Sequence, residues 1–432
     1  MIQTPNGNAE KCPPGNFSAR VRNGHARAPR RLLAVGLLVA LVGGCSTVSD
    51  VGRGAVRSVN AAGESVAGRL TAAGTPEITA KLPELASSIK IEVVAAHRIT
   101  DGTPDGYPKP HPAFAGDVVY TLGKSRREVF AHRLGDGKRL WKQRIDDPVT
   151  GAVGAGDGLV MVGTGNGDLV ALDAADGKER WRASLESEIL APPAAQDGVV
   201  VVATGDGHLY GLASADGARK WSVERDVPTL SLRGGSAPLT TASLALHGFA
   251  DGHLVAVDLH TGRQAWDVAI VQPRGRTELE RMVDADCQPA IEGGAVFAGA
   301  YQGRVSGIEL ATGTVGWARE LSCDSALATD TFNVYAVDTD DRVVAFDQRS
   351  GAVYWQQEAL KGRHLTAPAA VGSYIAVGDG EGYVHWLRAD DGTLVGRIRP
   401  TKDAFLLAPF VQGGVAYFLS EGGDLYALRA AD

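Results

Sequence analysis

Residues 158–181 read GLVMVGTGNGDLVALDAADGKERW, and seven other stretches of the chain follow the same pattern. The apolar run at 159–162 is typical of a strand that is buried on both faces. Gly165–Asp168 suits a tight hairpin, because glycine and asparagine tolerate the positive φ that such turns need. A return strand, a second tight turn at Asp176–Gly177 and a closing Trp181 complete the unit. One unit therefore predicts a small antiparallel sheet with a large aromatic residue on its outer strand.

The similar units follow one another with a regular spacing. Six of them end in tryptophan, and successive closing tryptophans are 38 to 51 residues apart. In the seventh unit Gly396 stands where the tryptophan is expected. The eight units are residues 116–141, 158–181, 198–221, 245–266, 294–317, 333–355, 373–396 and 414–432. Short strands repeated with a period of about 40 residues are typical of propeller blades, so we predict an all-β, eight-bladed β-propeller.

The last unit ends before its outer strand. Lys90–Ile99, which reads KIEVVAAHRI, precedes the first unit and has the composition of a strand. We expect this N-terminal strand to complete the last blade, because closing the ring removes exposed sheet edges that favour aggregation.

The composition fits a repeated, acidic protein. The 432 residues include 55 glycines, nearly twice the usual share of roughly 7%, and a turn repeated in every unit explains much of this excess. The formal net charge is −7, although the first 44 residues contain six basic side chains and one acidic side chain. The remainder is therefore more acidic still, which argues against nucleic acid as a partner because phosphate binding needs a basic surface.

The N-terminal part is typical of an exported protein. The apolar run LLAVGLLVALV at 32–42 follows two arginines and is too short for a membrane-spanning helix. The segment ends in Val-Gly-Gly before Cys45, which resembles a bacterial lipobox and predicts that Cys45 carries a lipid. An ordinary signal peptide with a chance cysteine is the alternative. We thus predict a signal peptide at 1–44, a lipidated cysteine and flexible tether at 45–88, and the propeller at 89–432.

Two further cysteines, Cys287 and Cys323, lie in the predicted propeller, and we expect each to precede the first strands of its blade, in the fifth and sixth units. An exported protein reaches an oxidising compartment where a disulfide is allowed. Because the sequence gives no distance between the two sulfurs, a disulfide and a pair of buried free thiols both remain open.

Two long insertions interrupt the repeat in adjacent blades, at 226–238 and 272–286. Long loops on a rigid scaffold are frequent binding sites. The insertions offer an apolar pair, one guanidinium and two carboxylates, a combination suited to a protein interface. These side chains are Leu230, Leu232, Arg233, Asp284 and Asp286. The alternative is that the leucines pack inwards and the aspartates cap turns.

The repeated pattern, close to A-x-D-x-x-T-G-x-x-x-W, resembles the quinoprotein (PQQ-like) propeller family. Its dehydrogenases use two adjacent cysteines, Ca²⁺ ligands and, in some members, a haem attached to C-x-x-C-H. This chain has no adjacent cysteine pair and no C-x-x-C-H motif. We therefore expect no enzymatic activity, no cofactor and no catalytic metal.

Four strings make a closer resemblance: PTLSLRGGSAP at 228–238, TELERMVDAD at 277–286, HLTAPAAVG at 364–372 and GDGEGYVHW at 378–386. They look like the BamB family, the propeller lipoproteins of the outer-membrane β-barrel assembly machinery. The resemblance implies an outer-membrane lipoprotein on the periplasmic face, with BamA, the rest of that complex and unfolded outer-membrane proteins as partners.

The same resemblance implies that Leu230, Leu232, Arg233, Asp284 and Asp286 contact BamA. Two alternatives of other classes remain, a quinone-dependent dehydrogenase-like protein and an envelope scaffold with a different partner.

Overall fold

The structure, a computed structural model, describes residues 78, 80–85, 88–104, 111–228, 236–271 and 284–431, without the side chains of Asp284 and Asp286. Within these ranges all regular secondary structure is β-strand, arranged as eight four-stranded antiparallel sheets. No helix that could cross a membrane is found there. Cys45, Leu230, Leu232 and Arg233 lie outside the described residues.

The strands are short and follow the units of the sequence. The N-terminal strand and the first four blades consist of β1 (Lys90–Arg98); β2 (Ala113–Ala115), β3 (Val118–Leu122), β4 (Glu128–Arg133), β5 (Arg139–Arg144); β6 (Val149–Gly156), β7 (Leu159–Thr164), β8 (Asp168–Asp173), β9 (Glu179–Ser184); β10 (Ala194–Gln196), β11 (Val199–Ala203), β12 (His208–Ala213), β13 (Arg219–Glu224); β14 (Leu239–Thr240), β15 (Leu244–Gly248), β16 (His253–Asp258) and β17 (Gln264–Ala269). The remaining blades consist of β18 (Asp284–Glu292), β19 (Ala295–Tyr301), β20 (Arg304–Glu309), β21 (Val315–Glu320); β22 (Ala328–Thr329), β23 (Asn333–Val337), β24 (Val343–Asp347), β25 (Val353–Gln357); β26 (Ala369–Val371), β27 (Tyr374–Gly378), β28 (Val384–Arg388), β29 (Leu394–Ile398); β30 (Phe410–Gln412), β31 (Val415–Leu419) and β32 (Asp424–Ala431).

The prediction of an eight-bladed propeller completed by an N-terminal strand is confirmed. β1 pairs antiparallel with β32, with Lys90 opposite Ala431, and gives the last blade the strand order β1-β32-β31-β30. The first strands of neighbouring blades contact one another, as expected near the axis of a ring. In the second blade every residue of β7 is buried, whereas the fourth strand β9 is largely exposed.

Six joints between successive blades use a tryptophan of one blade and a turn glycine of the next. At the first joint Gly177 has φ +74°, and a side chain there would come within 2.6 Å of the Trp141 ring. The Trp141 indole donates a hydrogen bond to the carbonyl of Ala174, 2.9 Å away, in the same turn. The other five indoles donate to the carbonyls of Ser214, Leu259, Leu310, Gln348 and Ala389 in the same way. The tryptophans therefore dock between neighbouring blades, which is what one large aromatic residue at a fixed site in each unit suggests.

The two joints that flank β1 are built differently. Gly396 replaces the tryptophan of the seventh blade, and a Cβ there would lie 2.9 Å from Ile89 and 3.1 Å from Ile91. At the other joint the turn glycine Gly137 lies against the ring of His97. The N-terminal strand therefore supplies side chains to both of its neighbours. We call residues 88–98 the seam segment.

Residues 80–85, which we call the strap, lie on the seventh blade. Arg363 donates to the carbonyl of Ala80 at 2.9 Å, and Arg397 donates to the carbonyl of Pro83 at 3.0 Å. Leu85 packs against the apolar cluster between the sixth and seventh blades. The described end of the predicted tether is thus held on the propeller, through backbone carbonyls that residue composition does not reveal.

A buried ionic cluster lies beneath the strap. Arg363 and Asp379 are both fully buried and 2.7 Å apart, and Arg363 also contacts Glu381 at 2.5 Å. Burial alone would raise the pKa of Asp379, but hydrogen bonds from His385, the Tyr383 amide and Arg363 outweigh it and lower this pKa. Asp379 and Arg363 therefore form a charged pair at neutral pH.

Candidate protein-binding face

One face of the ring carries both the turns between second and third strands and the connections between blades. The connections that follow the first five blades each begin with a backbone hydrogen bond to such a turn. Arg225 N donates to the carbonyl of Gly207 at 3.0 Å, and Ile270 N donates to that of Gly252 at 2.9 Å. These two residues stand at the starts of the predicted insertions. The described ends of both insertions therefore lie on this face, which we call the connection face.

Arg225 fastens the start of the first insertion to the fourth blade. Its guanidinium contacts Asp251 at 2.7 Å and Asp267 at 2.5 Å, and it lies 5.5 Å above the ring of Phe249. His253 contacts the other oxygen of Asp267, also at 2.5 Å. Burial would raise the pKa of Asp267, but hydrogen bonds from His253 and Arg225 outweigh it and lower the pKa. Arg225 and Asp267 therefore form a charged pair at neutral pH.

Gln288 joins the ends of the two insertions. Its side-chain oxygen accepts from the amide of Ala237 at 2.7 Å, and its side-chain nitrogen donates to the carbonyl of Ala237 at 3.2 Å. Ala237 is the last residue but one of the first insertion, and Gln288 lies on β18 two residues after the second insertion. Close to this pair, Gly248 approaches the carbonyl of Ala285 so tightly that a Cβ would come within 2.4 Å. The structure thus brings the ends of both insertions together on adjacent blades.

The start of the second insertion is fixed from the fifth blade. Arg304 on β20 donates to the carbonyl of Ile270 at 2.6 Å and to that of Ala269 at 3.0 Å. Both acceptors lie at the end of the fourth blade. Because each insertion is held at its start and at its end, the connection face has rigid attachment points for two long loops.

The structure places Asp284 and Asp286 in β18, the innermost strand of the fifth blade. The pairing of β18 with β19 shifts register between Asp284 and Cys287, so the strand is irregular where the two aspartates lie. The buried Ala285 stands between them. The other three predicted contact residues, in the first insertion, are outside the described part of the chain.

A disulfide lies directly after this acidic stretch of β18. Cys287 and Cys323 are bonded, with their Cα atoms 5.7 Å apart, and both are fully buried. Cys287 lies within the first strand of the fifth blade rather than before it, which corrects the expected position. Nearby, Leu327 N donates to the carbonyl of Gln288 at 3.1 Å. The bond therefore connects β18, one residue after Asp286, to the entry of the sixth blade.

Sequence reasoning missed Arg225, Gln288 and Arg304. Arg225 could have been recognised from the repeat. The residue directly after the outer strand is aliphatic in four other blades, so an arginine there departs from the pattern. Those residues are Ile145, Leu185, Ile270 and Leu321. Gln288 and Arg304 interrupt no visible pattern. In the described part of the chain no group of three or more His, Cys, Asp or Glu side chains is arranged to hold a metal ion.

Comparison with known proteins agrees with this architecture. A family model described as "Outer membrane protein assembly factor BamB" matches residues 125–357 and 340–432. The protein of that name from Pseudomonas aeruginosa is 45% identical over 348 residues, which cover 81% of this chain and 91% of the relative. The one from Alkalilimnicola ehrlichii is 37% identical over 206 residues, 48% of this chain. That match covers 54% of the relative, so the chain spans about half the length of this and several other relatives.

A solved structure has the same fold. The crystal structure of BamB from Moraxella catarrhalis superimposes with a TM-score of 0.70 at 31% sequence identity. The superposition covers 79% of this chain and all of that one. On the family model, the identity over most of the length and the shared ring, this chain belongs to the BamB family of outer membrane protein assembly factors.

Proposed function

We propose that this protein is a lipid-anchored scaffold of the outer-membrane β-barrel assembly complex that faces the periplasm and binds BamA through its connection face. It assists the folding and insertion of outer-membrane proteins by holding BamA in position. Membership of the BamB family supports this role, as its members are named assembly factors. The observation that carries the site is the joining of both insertions on adjacent blades by Gln288.

The physical role of the ring is to keep the binding loops in place. Loops whose ends are already fixed lose less conformational freedom on binding, which improves affinity without additional contacts. Leu230 and Leu232 supply apolar anchors, and Arg233 supplies a guanidinium suited to a carboxylate. Asp284 and Asp286 supply charge that favours one orientation of a basic partner surface. Binding, and not catalysis, is therefore the activity we assign.

Co-purification with BamA from solubilised outer membranes tests the site. Arg233→Ala, and separately Asp284→Ala together with Asp286→Ala, should abolish co-purification and leave the thermal unfolding midpoint unchanged. Arg180→Ala, which removes an exposed arginine from the outer strand of the second blade, is the matched control. BamA that still co-purifies with both site variants would refute the assignment.

The anchor network offers a second, graded test. Arg225→Ala releases the start of the first insertion from Asp251 and Asp267 without touching the proposed contact residues. We expect BamA binding to weaken by about tenfold, and Arg225→Lys to restore part of the loss. Affinity measured with the purified BamA periplasmic region checks this, and an unchanged affinity would show that the loop ends need no anchor.

The lipid anchor is tested independently of BamA. A fatty-acid probe supplied during growth should label the wild-type protein at Cys45 and leave Cys45→Ala unlabelled. Equal labelling of the two proteins, or no labelling of either, would contradict the prediction.

The cysteine pair is tested by a thiol count. Titration of the unfolded, unreduced protein should find Cys287 and Cys323 without free thiols, because the structure bonds them. Two reactive thiols would contradict the disulfide.

A further inference from the structure

The most exposed large apolar side chains of the described residues belong to one blade. Phe332, Tyr354 and Val353 are 72%, 60% and 52% exposed, more than any other large hydrophobic residue in that part of the chain. All three lie on the sixth blade. A cluster of exposed aromatic and aliphatic side chains is uncommon on a soluble surface and marks an interaction site more often than a chance arrangement.

The repeat shows how unusual Phe332 is. It stands directly before the second strand of its blade, in the turn that follows the first strand. The other seven blades carry small or acidic residues at the equivalent position: Asp117, Gly158, Gly198, Ser243, Gly294, Ser373 and Gly414. The Phe332 backbone is nevertheless fixed, since its amide donates to Asp330 at 2.8 Å and its carbonyl accepts from Gln348 at 2.9 Å. The backbone that carries the ring is therefore fixed while the ring itself is uncovered, which limits the conformational freedom lost on binding.

Phe332 and Tyr354 border a groove between the sixth and seventh blades. Tyr374 at the start of β27 forms another wall, and its ring packs edge-on against the buried Trp386 at 6.2 Å. The groove is open to solvent and has a volume of about 640 Å³. A helix about 10 Å wide would fill this volume with little more than one turn, so the groove suits the side chains of a short extended segment.

The charge of the groove lining indicates which extended segments would bind. The groove is lined by three carboxylates, Asp330, Asp347 and Asp390, against one cation, Arg388. Arg388 is already paired with Asp390 at 3.6 Å and with the neighbouring Asp391, so Asp330 and Asp347 are the carboxylates of the lining that are not paired with it. Because the lining has an excess of negative charge beside aromatic rings, it favours a basic side chain flanked by apolar ones.

The outer edge of the sixth blade is poorly suited to binding a partner by strand addition. In β25 the pairing with β24 shifts register between Val353 and Trp355, so Tyr354 is a bulged residue. A bulge bends an outer strand and interrupts the row of backbone groups to which another strand could add. Side-chain recognition in the groove therefore fits this region better than strand addition at its edge.

We propose that the groove between the sixth and seventh blades binds an extended polypeptide segment in which a basic residue stands between aromatic or aliphatic residues. The groove lies on the face opposite the connection face. It is thus a second interaction surface, independent of the one assigned to BamA. Phe332 and Tyr354 are its apolar anchors, and the aspartates select for a basic residue.

A binding experiment uses the Cys45→Ala chain, which needs no detergent, and a fluorescein-labelled peptide of sequence GSVKFTYRVSG. We expect saturable binding by fluorescence anisotropy. The combined variant Phe332→Ser with Tyr354→Ser should weaken it about tenfold or more. Leu140→Ser is the matched control, because Leu140 is the exposed residue at the same bulge position of the first blade. The same peptide with glutamate in place of lysine and arginine should also bind at least tenfold more weakly.

Several results would overturn the proposal: no saturable binding by the wild-type chain, equal binding by the double variant, or an equal loss in Leu140→Ser. Sedimentation velocity addresses self-association. If the wild-type chain dimerises and the double variant does not, a second copy occupies the groove and the peptide proposal is wrong. Co-purification of the double variant with BamA should persist, which separates this test from that of the proposed function.

Discussion

The ring contains two kinds of joint between blades. Six joints repeat one device, in which an indole packs on the turn glycine of the next blade and donates to a carbonyl there. At the seam, different side chains pack against the glycines: Ile89 and Ile91 against Gly396, and His97 against Gly137. The last blade takes its outer strand from the other end of the chain and therefore has no turn before that strand. Gly396 occupies the tryptophan position of the seventh blade, where a tryptophan would find no such turn in the last blade to pack on.

The difference separates local from long-range assembly. The hydrogen bonds of the regular joints connect residues 31 to 44 positions apart, which lie in consecutive units. The seam connects the start of the described propeller to its end, with Lys90 opposite Ala431. Four predictions test this contrast, beginning with the one that has the largest expected effect.

Deletion of residues 88–98 should prevent cooperative folding of the whole ring. The deletion exposes the edge of β32 and uncovers Gly396 and Gly137, so both joints at the seam are lost together. Near-ultraviolet circular dichroism during thermal unfolding checks this. A chain that lacks only residues 46–77 is the control and should unfold like the wild type. An unchanged midpoint for the 88–98 deletion would show that the ring does not depend on its closing strand.

Trp221→Ala should destabilise the protein by about 3–5 kcal/mol, the usual cost of removing a large buried aromatic side chain. Trp221 is almost fully buried, packs on Gly262 and donates to the Leu259 carbonyl at 2.8 Å. Urea unfolding measures the loss, and Trp221→Phe separates ring packing from the hydrogen bond. A cost below about 1 kcal/mol would mean that the regular joints contribute little.

Asp379→Asn should cost about 3 kcal/mol at neutral pH, because it leaves the buried Arg363 with one carboxylate fewer. The pKa of Asp379 is lowered in the folded protein, so its stabilising effect is present above the unfolded-state value of about 4. That effect disappears as the pH falls through the lower, folded-state pKa. The difference between wild type and variant in urea unfolding should therefore shrink below about pH 4.

The control for this pH series is Asp176→Asn, which removes an exposed ion pair to Lys178. It should leave the urea midpoint unchanged at each pH. A difference between wild type and Asp379→Asn that grows on acidification would contradict the charged state that we assign to the cluster under the strap.

His97→Ala should have the smallest effect, about 1 kcal/mol, since the His97 ring is only half-buried against Gly137. Local hydrogen exchange is the sharper measurement. We expect faster exchange in β1 and no change in β12, which lies far from the seam. Equal acceleration in both strands would show that the seam is not a separate weak point.

Much of the fold was predictable because each blade repeats its own local chemistry. The glycine turns and closing tryptophans mark the units, and the incomplete last unit indicates an added N-terminal strand. The strap, by contrast, binds through the carbonyls of Ala80 and Pro83, and a backbone carbonyl leaves no mark in a sequence. Arg363 and Asp379 are likewise recognisable as partners only after the blade has folded.

The candidate site was predictable in part. Interruption of the repeat located both insertions, and family resemblance suggested the contact residues within them. Asp284 and Asp286 lie in β18, whereas the roles of Leu230, Leu232 and Arg233 remain predictions. The roles of Arg225, Gln288 and Arg304 in holding the insertion ends could not be predicted. They depend on which blades are neighbours and on the distances between loop ends. Those distances follow from the closed ring and not from any single unit.

The pairing of β1 with β32 has a consequence for how the protein is made. Synthesis makes the closing strand β1 before all the other strands and its partner β32 last. The ring therefore cannot close until β32 has been made, and a prematurely terminated chain leaves β1 without its partner. Slow, non-local pairing of this kind exposes unpaired strands to proteases until synthesis ends. We therefore expect a chain that ends before β32 to be degraded faster than one that contains it.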